Sequence, residues 1–68
     1  MSTCGEVLRQ AVESLVAAGV PDAEVDAWYL FEHVTGMDRS AYFLHMVDAM
    51  DATQEEKLKE LVSRRAQR

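Results

Sequence analysis

Few side chains in this 68-residue chain are of the kinds that do covalent or acid–base chemistry. The single cysteine, Cys4, falls in the first turn of the first expected helix, where the helix dipole would favour a thiolate. A small apolar residue near a chain terminus explains it at least as well, and that reading is preferred. His33 and His45 each close a helical segment, where an imidazole complements the C-terminal carbonyls. One cysteine rules out an internal disulfide, and with only two histidines a structural zinc site is not expected. The carboxylate pairs Glu24/Asp26 and Asp48/Asp51 lack the dense alternation of oxygens and the bend glycine of a calcium loop. Gly5, Gly19 and Gly36 are isolated, so no phosphate-cradling loop is formed. A catalytic site needs a nucleophile or acid–base pair in a water-excluding cleft. The expectation is therefore a domain with no catalytic, cofactor-binding or metal-binding residue.

The elements that position these groups are helices. Thr3 and Glu6 form a capping box, and Val7, Leu8, Ala11, Val12, Leu15 and Val16 recur at helical spacing up to Gly19. Pro21 and Asp22 open a second helix that Gly36 stops, with Pro21 in its first turn. Its inward stripe is Ala27, Leu30, Phe31 and Val34. Val25, Trp28 and Tyr29 widen the apolar surface, which predicts a central helix packed on more than one side. Asp38 caps a short third helix over Arg39 to His45 or Met46, burying Tyr42, Phe43 and Met46 while Leu44 faces elsewhere. Val47 and Met50 are expected to plug the core from the connection that follows. Thr53 to Glu56 reads as the capping box of a last helix, with Leu58, Leu61 and Val62 inward and Glu55–Lys59 and Glu60–Arg64 paired outside. No strand alternation appears. The fold class is all-α: a small compact bundle of three main helices plus one short one, forming a single domain. At most one or two of its aromatic and methionine side chains should be exposed.

Composition agrees: 49% hydrophobic and 28% charged residues, with one proline, describe an ordinary globular chain. The net charge of −5 argues against non-specific nucleic-acid binding. Between Glu6 and Glu32 the one cation is Arg9, whereas Arg64, Arg65 and Arg68 crowd the C-terminal end. Neither a signal peptide nor an apolar run of the roughly 20 residues of a membrane span is present. A lone thiol suits a reducing cytosol, and a cytoplasmic location is expected.

The order and spacing of several segments resemble one family. Ala18-Gly19-Val20 precedes Asp26-Ala27, then Leu30-Phe31 and Glu32-His33-Val34-Thr35-Gly36. Arg39 takes the basic position after the glycine, and Leu61-Val62-Ser63-Arg64-Arg65 closes the run. This is similar to the N-terminal domain of the HemK/PrmC protein-glutamine methyltransferases, from about Val7 to Arg65. Departures lie on the second helix. Trp28 stands for a usual glutamate, Tyr29 and Phe31 for aliphatics, and Thr35 for leucine.

The resemblance implies a two-domain parent in which this bundle precedes a Rossmann-like domain that binds S-adenosylmethionine. Its Asn-Pro-Pro-Tyr motif would hold the glutamine amide of the Gly-Gly-Gln loop of peptide-chain release factors. The chain stops where the family's linker would begin. The bundle would then recognise and orient substrate without doing chemistry, and would be inactive alone. Its implied partners are a release factor and its own catalytic domain, with neither membrane nor nucleic acid. Charge clustering nominates Arg39, Arg64 and Arg65 as contacts to an acidic release factor. The alternatives are a free-standing helical interaction module and an acyl-carrier-like protein. The latter would need a serine directly after aspartate at a helix start, where Asp38-Arg39-Ser40 has an insertion.

Overall fold

The computed structural model describes residues 2–67, so Arg68, the third terminal arginine, lies outside it. Four helices follow in order: α1 (Cys4–Ala17), α2 (Ala23–Thr35), α3 (Arg39–His45) and α4 (Ala52–Gln67). The long helices α1, α2 and α4 all pack on one another. The all-α bundle of three main helices and a short one is the expected architecture.

Local chemistry sets most of the boundaries. Thr3 and Glu6 do form the capping box of α1: the Glu6 N–H donates to the Thr3 hydroxyl at 3.2 Å, and the Thr3 N–H donates to the Glu6 carboxylate at 2.8 Å. At the other end Gly19 has φ +80°, its N–H donates to the Val16 carbonyl and the Val20 N–H donates to that of Leu15. That pairing is a Schellman motif, and its apolar partners Leu15 and Val20 are both buried. Gly36, at φ +74°, stops α2 as expected. There the departure at Thr35 finds a use. Its hydroxyl donates to the Phe31 carbonyl at 2.8 Å and accepts the Met37 N–H at 3.2 Å, tying the chain down beyond the glycine. Asp38 caps α3 by accepting the Ala41 N–H at 2.8 Å.

Two helix starts differ from the sequence reading. Pro21 sits in the turn before Asp22, the N-cap of α2, and not within the helix. The Thr53 capping box does not form. Asp51 accepts the N–H groups of Thr53 and Gln54 at 2.9 and 3.0 Å, so α4 begins at Ala52. Aspartate is at least as good a cap as threonine, and here it lies two residues earlier.

The core is built from one face of each long helix: Val7, Leu8, Ala11 and Leu15 from α1, Ala23, Ala27 and Phe31 from α2, Leu58 and Val62 from α4. Leu15, Ala27 and Phe31 are wholly enclosed. The central helix is not covered all round. Val25 and Tyr29, one turn apart on α2, are exposed, as is Val16 on α1. Three helices in a triangle bury roughly one stripe each, and the neighbouring short helix shields Trp28 and leaves Tyr29 open.

Truncating the centre should be severe. Phe31→Ala is expected to cost about 3–5 kcal/mol, a large part of what a domain this small possesses. Urea unfolding followed by far-UV circular dichroism should find it largely unfolded. The capping box predicts a pH effect. The Thr3 backbone N–H, followed by its hydroxyl, holds the Glu6 carboxyl below the usual carboxylate range. A folded-state pKa lowered in this way contributes stability that is present above the unfolded-state pKa and is lost as pH falls through the folded value. Glu6→Gln should therefore flatten the acid limb of a melting-temperature profile and leave a smaller difference from the native chain at low pH than at neutral pH.

Candidate functional site

The segment joining α3 to α4 runs antiparallel against the residues that lead into α1. Met50 N–H donates to the Ser2 carbonyl, Thr3 bridges Ala49, Cys4 N–H donates to Asp48 and Gly5 N–H to Met46, each of the three bonds at 2.9 Å. The first turn of any helix leaves N–H groups without intrahelical partners. In α1 those of Cys4 and Gly5 are taken by carbonyls of the connection and that of Glu6 by Thr3. Gly5 permits the approach: a Cβ there would lie 3.2 Å from the Met46 carbonyl oxygen and 3.4 Å from the Tyr42 hydroxyl.

This seam fixes the far end of α3, and an aromatic stack fixes its middle. Tyr42 is the residue of α3 that is buried. It meets Trp28 edge-to-face at 4.8 Å and Phe31 at 5.6 Å between ring centroids, and Trp28 meets Phe31 at 6.3 Å. Such pairs add about 0.5–1.5 kcal/mol beyond area burial. With Tyr42 inward, the next residues must turn out. Phe43, Leu44 and Val47 are 64%, 77% and 76% exposed, and Met46 is exposed beside them. Phe43 leans on the Tyr42 ring at 5.5 Å. The expectation that Phe43, Met46 and Val47 fill the core is thus corrected, as is the limit of one or two exposed aromatic and methionine side chains, since Tyr29, Phe43 and Met46 are all exposed. Met50 is buried as expected.

The three nominated arginines each have a partner within the bundle. Arg39 stacks on the Trp28 ring with its guanidinium carbon 4.8 Å from the centroid. Arg64 pairs with Glu60 at 2.8 Å, one turn back. Arg65 donates through Nε and Nη2 to the same oxygen of Asp26, at 2.9 and 2.8 Å, joining the end of α4 to the start of α2. Lys59 pairs with Glu55 at 3.2 Å, the other expected pair.

The remaining candidates for chemistry are occupied structurally. Cys4 is buried, and burial, followed by the charge of Asp48, pushes its thiol up. That is the opposite of what a nucleophile needs. Burial, followed by Cys4, likewise raises the Tyr42 phenol. Of the carboxylates weighed as ligands, Asp26 holds Arg65, Asp51 caps α4, and Asp48 lies 2.9 Å from His45 Nδ1. Among the described residues no three His, Cys, Asp or Glu side chains converge. A groove of about 400 Å³ runs between α1 and α4 over Val7, Ala11, Leu58 and Val62, rimmed by Gln10, Ser14, Lys59 and Ser63. It offers no acid–base pair.

Comparison with known proteins gives these features a context. Residues 6–68 match the family model of the PrmC N-terminal domain. The chain belongs to that family. It is 40% identical over 63 residues, 93% of its own length, to the release factor glutamine methyltransferase of Deinococcus radiodurans. It spans 23% of that relative. No solved structure matches it. This PrmC N-terminal domain has no helix among its described residues long and apolar enough to cross a membrane.

The signal for the exposed face was available in the sequence. Tyr42, Phe43 and Leu44 are consecutive, and successive helical residues point about 100° apart, so one short helix cannot turn all three inward. The seam itself has no such signal, because it is made by backbone groups distant in sequence.

Gly5→Leu tests the seam. The added side chain has no room against the Met46 carbonyl and Tyr42, and overpacking of this kind costs about 1–3 kcal/mol. The variant should lose stability in urea titrations despite leucine's better helix propensity, and amide exchange at Cys4 and Met50 should speed up.

Proposed function

We propose that this PrmC N-terminal domain is the substrate-recognising and orienting part of an S-adenosylmethionine-dependent protein-(glutamine) N-methyltransferase acting on the Gly-Gly-Gln loop of peptide-chain release factors. The observation that carries this is the family match over residues 6–68, together with the relative named for release factor glutamine methylation. A catalytic domain would follow this one in the parent, and the parent would work in the cytoplasm, where release factors are.

The chain's own residues suit this division of labour. They do not fit S-adenosylmethionine. The three glycines stand apart, and the groove between α1 and α4 has no carboxylate on its lining for a ribose. The cofactor belongs to the catalytic domain in this reading, and the chain alone transfers no methyl group. What the bundle contributes is geometry. Holding a large substrate so that one glutamine amide meets the methyl donor converts an encounter into an oriented complex, and good positioning is worth up to about 7–11 kcal/mol in favourable systems. A rigid, acidic bundle with an ordered exposed face is suited to holding a protein and not a nucleic acid.

The test is steady-state methylation of purified release factor by the parent enzyme with and without these residues. Deletion should lower kcat/KM by about 100-fold, the scale at which misplacement costs rate, with the catalytic domain still binding S-adenosylmethionine. Unchanged kcat/KM would refute the proposal.

A further inference from the structure

Phe43 and Leu44 lie in the last turn of α3, and Val47 lies in the turn that follows it, four and three residues on. Met46 between them is still in a helical backbone conformation, so the three side chains emerge at the same end of the bundle. These are the most exposed large apolar side chains of their segment; Phe43 leans on Tyr42, and neither Leu44 nor Val47 belongs to the core. An exposed apolar surface of this kind on a small domain marks an interaction site. Its backbone is already ordered. Asp38 caps the start of α3, Tyr42 anchors its middle, and Met46 and Asp48 are bonded to Gly5 and Cys4 at its end. A preformed surface loses little entropy on binding.

Its surroundings are acidic. Asp38 precedes α3 and Asp48 and Asp51 follow it, while the one nearby arginine, Arg39, lies on Trp28 and His45 faces Asp48. The whole chain carries −5. Charge complementarity calls for a partner whose apolar centre is ringed by lysine or arginine.

The bundle also has two poles. The seam puts the start of α1 and the start of α4 beside the end of α3. Arg65, near the end of α4, pairs instead with Asp26 at the start of α2. The 16 residues of α4 span about 24 Å at 1.5 Å each, most of the bundle's 30 Å length. Sequence continuing from α4 in a parent enzyme therefore leaves from the pole opposite the α3 face.

We infer that the face of Phe43, Leu44 and Val47 docks the protein substrate, through a basic-rimmed apolar patch on that substrate, and not the parent's own catalytic domain. This inference rests on the function proposed above and assigns it a surface.

The test compares the parent enzyme with two variants, Leu44→Ser/Val47→Ser and the single Phe43→Ser, using purified release factor as substrate. The double variant should keep its melting temperature, because Leu44 and Val47 are exposed and outside the core, whereas Phe43→Ser should fall by a few degrees with the loss of its contact to Tyr42. The double variant should raise KM for the release factor about tenfold, as loss of a central apolar contact does, with kcat and S-adenosylmethionine affinity unchanged. Asp48→Lys should raise KM several-fold in low salt and less in high salt. An unchanged KM in both serine variants, while deletion of the whole bundle still cripples turnover, would overturn the docking face and leave the function standing. A fall in kcat, or in the melting temperature of the parent carrying Leu44→Ser/Val47→Ser but not of the isolated bundle carrying it, would show that the face packs on the catalytic domain, also overturning it. So would sedimentation showing that the 68-residue chain self-associates through this face and that the serine variants abolish it.

Discussion

Everything at one end of this bundle depends on where the first N–H groups of α1 find their acceptors. A buried or half-buried helix start cannot leave them unpaired, since each lost partner costs about 1–3 kcal/mol. Thr3 can serve one by its side chain. Cys4 and Gly5 need carbonyls from elsewhere, and Asp48 and Met46 supply them. Meeting that need draws a connection more than forty residues away in sequence across the top of α1. It thereby fixes the path of α3 into α4, and favours a glycine at position 5, where a Cβ would press on the Met46 carbonyl.

The aromatic stack acts with the seam. Once Phe31 is enclosed between the long helices, its edge and that of Trp28 leave a slot that Tyr42 fills. Both anchors hold α3 by a single side chain and by backbone beyond it. A seven-residue helix has about two turns, so with one stripe assigned inward the rest of its apolar residues face water. The exposed face is a consequence of how the helix is fastened. Trp28 and Phe31, the large side chains of α2, are the ones that build this fastening.

Signals that act within a few residues were legible in the sequence. Thr3 with Glu6, Asp38, Gly19 and Gly36 each marked a helix end that the structure keeps, because caps and positive-φ positions are decided by the residue and its immediate neighbours. The α4 cap was misplaced by two residues because Asp51 and Thr53 both satisfy the local rule and only the path of the incoming chain chooses between them. The exposure of Val25, Tyr29, Phe43, Met46 and Val47 does not follow from periodicity alone. A stripe says which residues share a face, and the number of neighbouring helices decides which faces are covered. The face on α3 is signalled only by the succession Tyr42, Phe43 and Leu44, which one short helix cannot turn inward together, while the arginines, conspicuous as charge in sequence, have partners close by.

That contrast bears on how an acidic domain of this kind recognises anything. Arg64 and Arg65 occupy the last turn of α4, where cations complement the exposed carbonyls and acids one turn back or on α2 are within reach. Exposed pairs of this sort are worth about 0–1 kcal/mol, so they fix orientation more than they stabilise. Each guanidinium keeps further N–H donors beside the bonds it makes, so these pairs orient the arginines without closing them to a second carboxylate. In the proposed docking, covering Phe43, Leu44 and Val47 takes apolar surface out of water, part of whose gain is offset by the cost of association, and the acidic residues flanking α3 favour a basic-rimmed partner. Apolar contact and surrounding charge together would hold a protein in one orientation, which is what the proposed function asks of this bundle.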